Sequence, residues 1–206
     1  IMTHGDNEGL VLPPAIAPIQ VVIVPVAAHK PGVLEKAAEI AETLKKAGLR
    51  VKLDDSDQSP GWKYAQYEMK GVPLRLEIGP RDIENGNCVL VRRDNREKTV
   101  VALDDLVEST QQMLKDFAKA IYEKAKANLE GNITPAHNIQ EMKDILQKRV
   151  GFVKAMWCGD EHCEEVIKNE TGMPSRCIPF EQEHIDDVCP VCGKPAKYMV
   201  IFGIAY

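Results

Sequence analysis

"IQVVIVPVAAHKPGVLEKAAEIAETLKKAGLRVKLDD", residues 19–55, decides the fold class. Its first eight residues are a continuous apolar run rich in β-branched side chains, of strand length, as in a strand buried on both faces. After Pro31-Gly32, the residues Leu34, Ala37, Ala38, Ala41 and Leu44 recur on one side of a helix that Gly48 stops. Residues 49–55 return as a second strand. Strand, helix and strand in this order form a βαβ unit with parallel strands.

Downstream, a polar loop from Asp54 to Gly61 leads into "GWKYAQYEMKG", a short helix ending at Gly71. In "PLRLEIGPRD" (73–82), Leu74, Leu76 and Ile78 alternate with Arg75 and Glu77, so the strand has one apolar and one charged face. Gly79-Pro80 ends it and Arg81-Asp82 stand in a turn. "NCVLVRRDN" and "KTVVAL" read as two further strands. A long helix begins at Asp104 or Asp105, with Leu106, Thr110, Met113, Leu114, Phe117, Ile121 and Ala125 at helical spacing. The stretch "ANLEGNITPAHN" (127–138), rich in Gly, Asn and Pro, marks a boundary. Beyond it come a helix (139–149), the strand "GFVKAMWC", a helix near 160–170, and strands near 176–180 and 197–204. The chain thus divides into a leader (1–15), an α/β domain with a mixed sheet and a βαβ start (16–130), and a smaller α+β domain (131–206).

The 206 residues are 44% hydrophobic and 28% charged, ordinary globular values, and carry a net charge of −5. That balance excludes a bulk polyanion binder. Between residues 61 and 98, however, eight Lys/Arg face six Asp/Glu, a surplus of two, so the remainder of the chain carries −7. A polyanion has only this segment to dock on. There is no apolar run of about 18 residues and no signal-peptide pattern, so no membrane span and a cytoplasmic setting are expected.

The six cysteines include two short-spaced pairs, Cys158/Cys163 in "CGDEHC" and Cys189/Cys192 in "CPVC". Two such knuckles can close a tetrahedron of thiolates around zinc, and four protein ligands leave no open position, so the metal is structural. The alternative is a pair of disulfides or free thiols. His162 lies inside the first knuckle, where a solvated histidine is the expected reading and a substitute ligand the alternative. Cys88 and Cys177 lack partners at ligand spacing and read as small buried residues.

The stretches "HGDNEGLVLPPAIAPIQVVIVP", "PGWKYAQYEMKGVPLRLEIGPRD", "VLVRRD", "CGDEHCEEVIKNETG", "RCIPFEQE", "CPVCGKPAKYMV" and the terminal "AY" resemble the prolyl-tRNA synthetases of the archaeal and eukaryotic-like type. They follow the family's order over nearly the whole chain. The resemblance implies that residues 1–15 are the tail of a class II catalytic domain, 16–130 an anticodon-binding domain and 131–206 the C-terminal zinc domain. It implies that the parent protein, a homodimer, ligates proline to tRNA(Pro) with ATP and Mg²⁺. The catalytic signature motifs are absent, so the chain by itself is expected to be inactive. It places His4 and Asp6 in the catalytic remnant, where an approach to the active site and a structural turn are both open. It makes Tyr206 a terminal tyrosine whose carboxylate tucks toward the catalytic domain.

Proline codons are CCN, so the anticodon ends in two guanines. Guanine's Watson–Crick edge offers the acceptor O6 and the donors N1 and N2, and a flat ring can stack on its base in a single-stranded loop. Arg75 and Arg81 can supply the cation for O6, Glu68 or Glu77 the carboxylate, and Tyr64 the ring; the resemblance places the anticodon contacts on Tyr64, Glu68, Arg75 and Arg81, with a further base contact near Arg96 or Lys98. The family often carries lysine at the position of Arg81. Taken alone, Arg75 and Glu77 also fit an ion pair on a solvated face, worth under about 1 kcal/mol. Two rival functions stand beside this one. An anticodon-like adaptor without charging activity is opposed by the catalytic leader. A small α/β nucleotide enzyme is opposed by "PVAAHKPG", which lacks a glycine-rich phosphate loop.

Overall fold

The computed structural model describes residues 2–148 and 151–204 and contains two compact units, Ile1–Ala125 and Lys126–Tyr206. In the first unit the apolar run forms strand β1 (Val21–Pro25), every residue of it buried. Helix α1 (Val33–Lys46) and strand β2 (Val51–Leu53) complete the βαβ unit, with β1 and β2 parallel.

The inward face of α1 is Val33, Ala37, Ile40, Ala41 and Leu44, not the stripe through Leu34 and Ala38. Both stripes keep helical spacing, and the one chosen buries two β-branched side chains where the other would bury a leucine and an alanine. The helix ends in a Schellman turn. Gly48 at φ 84° donates to Lys45, and Leu49 donates to Leu44.

Helix α2 (Pro60–Met69) is capped by the Ser59 hydroxyl, which accepts from the Trp62 amide, and carries Pro at its first position. Strand β3 (Leu74–Ile78) then lies parallel to β1 on the side away from β2. Arg81 sits in a short helix, α3 (Pro80–Glu84), where the sequence suggested a turn. Strands β4 (Asn87–Arg92) and β5 (Lys98–Ala102) continue antiparallel, giving the mixed order β2-β1-β3-β4-β5.

A 3₁₀ turn (Leu103–Asp105) leads into α4 (Leu106–Gly131). The helix therefore runs into the stretch read as a boundary. Within the helical part of that stretch, up to Gly131, the one glycine is the last residue and no proline occurs, and Asn132 folds its amide back onto the Asn128 carbonyl at 2.8 Å. One face of the sheet packs Leu74, Leu76, Ile78, Cys88 and Leu90 against α1 and the start of α4. The other face receives α2, through Tyr67 and Tyr64 on Val22 and Val24.

The leader is stitched to this unit. Leu10 and Leu12 donate to the carbonyls of Met69 and Gly71 at 3.1 and 3.2 Å. A Cβ at Gly71, whose φ is 71°, would stand 2.7 Å from that of Leu10, so the close approach needs glycine.

The second unit holds strand β6 (Ile133–Pro135), helix α5 (Ile139–Lys148), strand β7 (Phe152–Trp157), helix α6 (Glu161–Thr171), strand β8 (Ser175–Cys177) and strand β9 (Tyr198–Gly203). They form a sheet of order β6-β7-β9-β8. Pro135 is tolerated because β6 is an edge strand. Met142, Val153, Ala155, Ile167, Val200 and Phe202 make its core. Among the described residues no helix is long and apolar enough to cross a membrane. Tyr206 lies outside the described residues.

Candidate functional site

Strand register assembles the charged face. Arg75 pairs with Val22 on one side and Val91 on the other, and Val91 pairs with Lys98. Glu77 likewise stands between Val24 and Val89, and Val89 opposite Val100. All these side chains point to the face that carries α2. The helix covers β1, while Lys98 and Val100 on β5 stay 59% and 65% exposed.

Arg75 occupies the centre. Its guanidinium bonds Glu68 at 2.7 Å and Glu77 at 2.9 Å and lies over the Tyr64 ring, 3.8 Å from its centroid. Tyr64 and Glu68 reach it from one face of α2 because they are four residues apart. Glu77 also lies 3.4 Å from the Lys98 ammonium. The Arg75–Glu77 pair is therefore not on a solvated face, since its two side chains are only 10% and 12% exposed. Burial, then the negative charge of Glu77, pushes the Tyr64 hydroxyl up to about 12.

The two carboxylates are not equivalent. Glu77 commits one oxygen to Arg75 and the other to Lys98. Glu68 commits one oxygen, its side chain is 28% exposed, and its second oxygen has no partner among the described residues. Arg81 is exposed on α3 and makes no ion pair among the described residues.

Arg96, at φ 60° in the β4–β5 turn, pairs with Glu8 at 3.0 Å on the surface, and that bond, with smaller pulls from the charges of Glu68 and Asp6, raises its guanidinium further. Asp6 is clamped by both terminal nitrogens of Arg93 at 2.7 and 2.6 Å. The Arg93 hydrogen bond holds its carboxyl well below the usual carboxylate range, against a smaller opposing effect of burial. This is a structural ion pair tying leader to β-turn, and the Arg93 Nε–H also donates to the Glu68 carbonyl at 2.9 Å. Sequence reasoning passed over Arg93 because a basic residue after a strand carries no sign of a partner 87 positions away.

The four paired cysteines converge. Cys158 follows the last residue of β7, Cys163 lies in the first turn of α6, and Cys189 and Cys192 lie in a turn closed by Gly193, which at φ 67° donates to the Cys189 carbonyl. The four sulfurs lie within 4.8 Å of one another, with Cys158 and Cys192 at 3.7 Å. Thiolates about 2.3 Å from a central zinc stand about 3.8 Å apart in a tetrahedron, so the spacing fits the ion, and it is far too long for a disulfide bond of about 2.05 Å.

Burial pushes the Cys158 and Cys163 thiols up, whereas the backbone amide of Lys194 brings Cys192 down to about 7. His162 is not among the four, its amide instead donating to the Asp160 cap. Cys88 is buried in the first core, where desolvation lifts its thiol to about 11. Cys177 is exposed on β8 and not buried as the sequence suggested.

Comparison with known proteins gives both units a family. Residues 20–113 match the model of the anticodon binding domain, and residues 139–206 that of the prolyl-tRNA synthetase C-terminal region. The proline–tRNA ligase of Clostridium botulinum (strain Okra / Type B1) is 57% identical over all 206 residues, and that of Lachnospira eligens 53%. The chain belongs to the prolyl-tRNA synthetase family. It spans 43% of the length of both those relatives. The crystal structure of prolyl-tRNA synthetase from Cryptosporidium parvum, solved with L-proline and AMP, superposes with a TM-score of 0.94 at 41% identity, covering 100% of this chain and 44% of that one. Within a prolyl-tRNA synthetase frame, the Arg75 cluster lies in the anticodon-binding domain and the cysteines in the C-terminal region.

Proposed function

We propose that this chain is the anticodon-reading and zinc-bearing part of a proline–tRNA ligase. Its residues read the two guanines at the end of the proline anticodon, and the longer protein esterifies proline to tRNA(Pro) with ATP and Mg²⁺. The observation that carries this reading is the free oxygen of Glu68 beside the buried Arg75–Glu77–Tyr64 cluster. A carboxylate with one oxygen fixed and one open is an acceptor for guanine N1–H and N2–H.

The roles divide accordingly. Glu68 accepts from the guanine edge, Arg81 donates to O6, and the outer ring face of Tyr64 stacks a base. Arg75 keeps a donor for the base while its other bonds fix both glutamates. Glu77 holds Arg75 and Lys98, and Lys98 with Arg96 approaches the RNA backbone or a further base.

Cys158, Cys163, Cys189 and Cys192 hold one zinc, whose only contribution is to fix the fold of the C-terminal region. His4 and Asp6 serve the leader's turn. The longer protein is a cytoplasmic homodimer. An adaptor without charging activity would share the fold but would not need guanine selectivity. Anticodon stem-loops ending in GG or AA separate the two: selective binding of GG supports the ligase reading, and equal binding removes it.

A further inference from the structure

Helix α2 has a second, inward face one residue back from the first. Where Tyr64 and Glu68 meet Arg75, Lys63 and Tyr67 enter the interior, and the Lys63 residue is only 2% exposed. Its ammonium donates to the carbonyls of Asp54 at 2.9 Å and Ser56 at 2.7 Å, and lies 3.4 Å from the Asp54 carboxylate. The Tyr67 hydroxyl donates to the other Asp54 oxygen at 3.0 Å. The Ser56 hydroxyl and amide close on the first at 2.6 and 3.1 Å. Burial alone would raise the Asp54 carboxyl, but the Ser56, Tyr67 and Lys63 contacts outweigh it and lower it.

None of these groups is free to touch RNA. Yet a buried charge set is a weak source of net stability compared with apolar packing of the same volume, and its best-attested use is to fix one geometry. Tertiary packing of Tyr67 on Val22 and Val24 would tolerate small rolls and slides of a ten-residue helix. Two directed hydrogen bonds and an ion pair from Lys63, with one hydrogen bond from Tyr67, do not. Because Lys63 and Tyr64 are adjacent, as are Tyr67 and Glu68, any roll of the helix moves the outer pair by the same angle.

We propose that Asp54, Lys63 and Tyr67 form a positioning anchor that sets the roll of α2 and thereby places Tyr64 and Glu68 against Arg75 for base reading. This rests on the reading of that face as the guanine-selective site.

The test uses the whole 206-residue chain with Tyr67→Phe, which removes one bond and little volume, Asp54→Asn, and Lys63→Met. Ile40→Val in α1 serves as a destabilised control away from the anchor. Two quantities are read well below the unfolding temperature. The first is the ratio of affinities for GG and AA anticodon stem-loops. The second is the NMR shift of the Arg75 Nε–H, which the Tyr64 ring displaces.

The expected ratio falls about threefold for Tyr67→Phe and about tenfold for Lys63→Met, with the Arg75 signal moving in step, while Ile40→Val changes neither. If Lys63→Met does not fold, Tyr67→Phe and Asp54→Asn decide. A wild type that selects GG, with anchor variants that keep both ratio and signal, overturns the anchor. A wild type blind to GG overturns the reading of the face. The Arg75 signal then upholds or overturns the anchor by itself.

Discussion

The cysteine cluster and the Arg75 cluster are built on opposite principles. Four like ligands, two in each of two short knuckles, meet within 4.8 Å. Each knuckle is complete in its own few residues, and the four sulfurs are close enough for a single metal ion to satisfy them together. The Arg75 cluster draws Tyr64, Glu68, Glu77 and Lys98 from three elements, and each charge is balanced by a different neighbour. The first arrangement stands or falls with a metal. The second depends on helix placement and strand register, and losing one member leaves the others wrongly paired.

That contrast is broken most severely by removing metal. A strong chelator should unfold the unit from Lys126 onward and leave the first unit cooperative, because zinc binding at such sites is worth about 10–16 kcal/mol and is coupled to folding. Circular dichroism and metal analysis check this. A second unit that stays folded without zinc would put the cysteines back among ordinary core residues.

Arg75→Ala comes next. It leaves Glu68 and Glu77 facing each other without their shared cation, at a cost of about 3 kcal/mol, the low end for a broken buried pair because Glu68 retains some solvent. Arg96→Ala removes an ion pair whose side chains are 55% and 51% exposed and screened by solvent, and should cost far less than the Arg75 change. Urea unfolding of the two variants measures the difference. Equal costs would mean that the Arg75 cluster is a surface feature after all.

The Asp6–Arg93 pair gives an acid signature. The carboxyl of Asp6 titrates lower in the folded chain than in the unfolded one, so its contribution is fully present above about pH 4 and fades as pH falls below that. Asp6→Asn should flatten that part of the stability profile of the first unit and leave it unchanged at neutral pH apart from the lost contact. A profile of the same slope in both proteins would assign the acid limb to other carboxylates.

The smallest effect belongs to Lys98→Ala. It should weaken all RNAs alike and reduce the slope of log affinity against log salt by about 0.7, with no change in base preference. Val100→Asp, on the exposed edge strand and opposite Val89, should act in the same direction without lowering stability. A changed GG-to-AA ratio in either would extend base reading onto β5.

Much of this was legible in the sequence, for reasons that differ by region. Residues 19–55 could be read because burial on both faces leaves a continuous apolar run and the helix between supplies its own stop at Gly48. The convergence of the four cysteines could be read because ligand spacing is a property of a few neighbouring residues. The resemblance points to Tyr64, Glu68 and Arg75, whereas the chemistry of the guanine edge alone leaves Glu68 and Glu77 equivalent. The distinction depends on Lys98, brought beside Glu77 only by the β3-β4-β5 register. Arg93 and Lys63 escaped for the same reason. Nothing in a lone lysine says it is 2% exposed, since its partners are backbone carbonyls that any residue could offer. The face of α1 was misjudged by one position because two stripes of apolar residues share the helical period.

The central claim is that Glu68 is the open acceptor for the guanine edge, and one double-mutant cycle tests it. Stem-loops carrying guanine or inosine at the last two anticodon positions differ only in the N2 amine. Wild type should prefer guanine by about 1–3 kcal/mol per lost edge contact, and Glu68→Ala should erase most of that preference while Glu77→Gln keeps it. A preference that survives Glu68→Ala, or that vanishes with Glu77→Gln instead, would contradict the account.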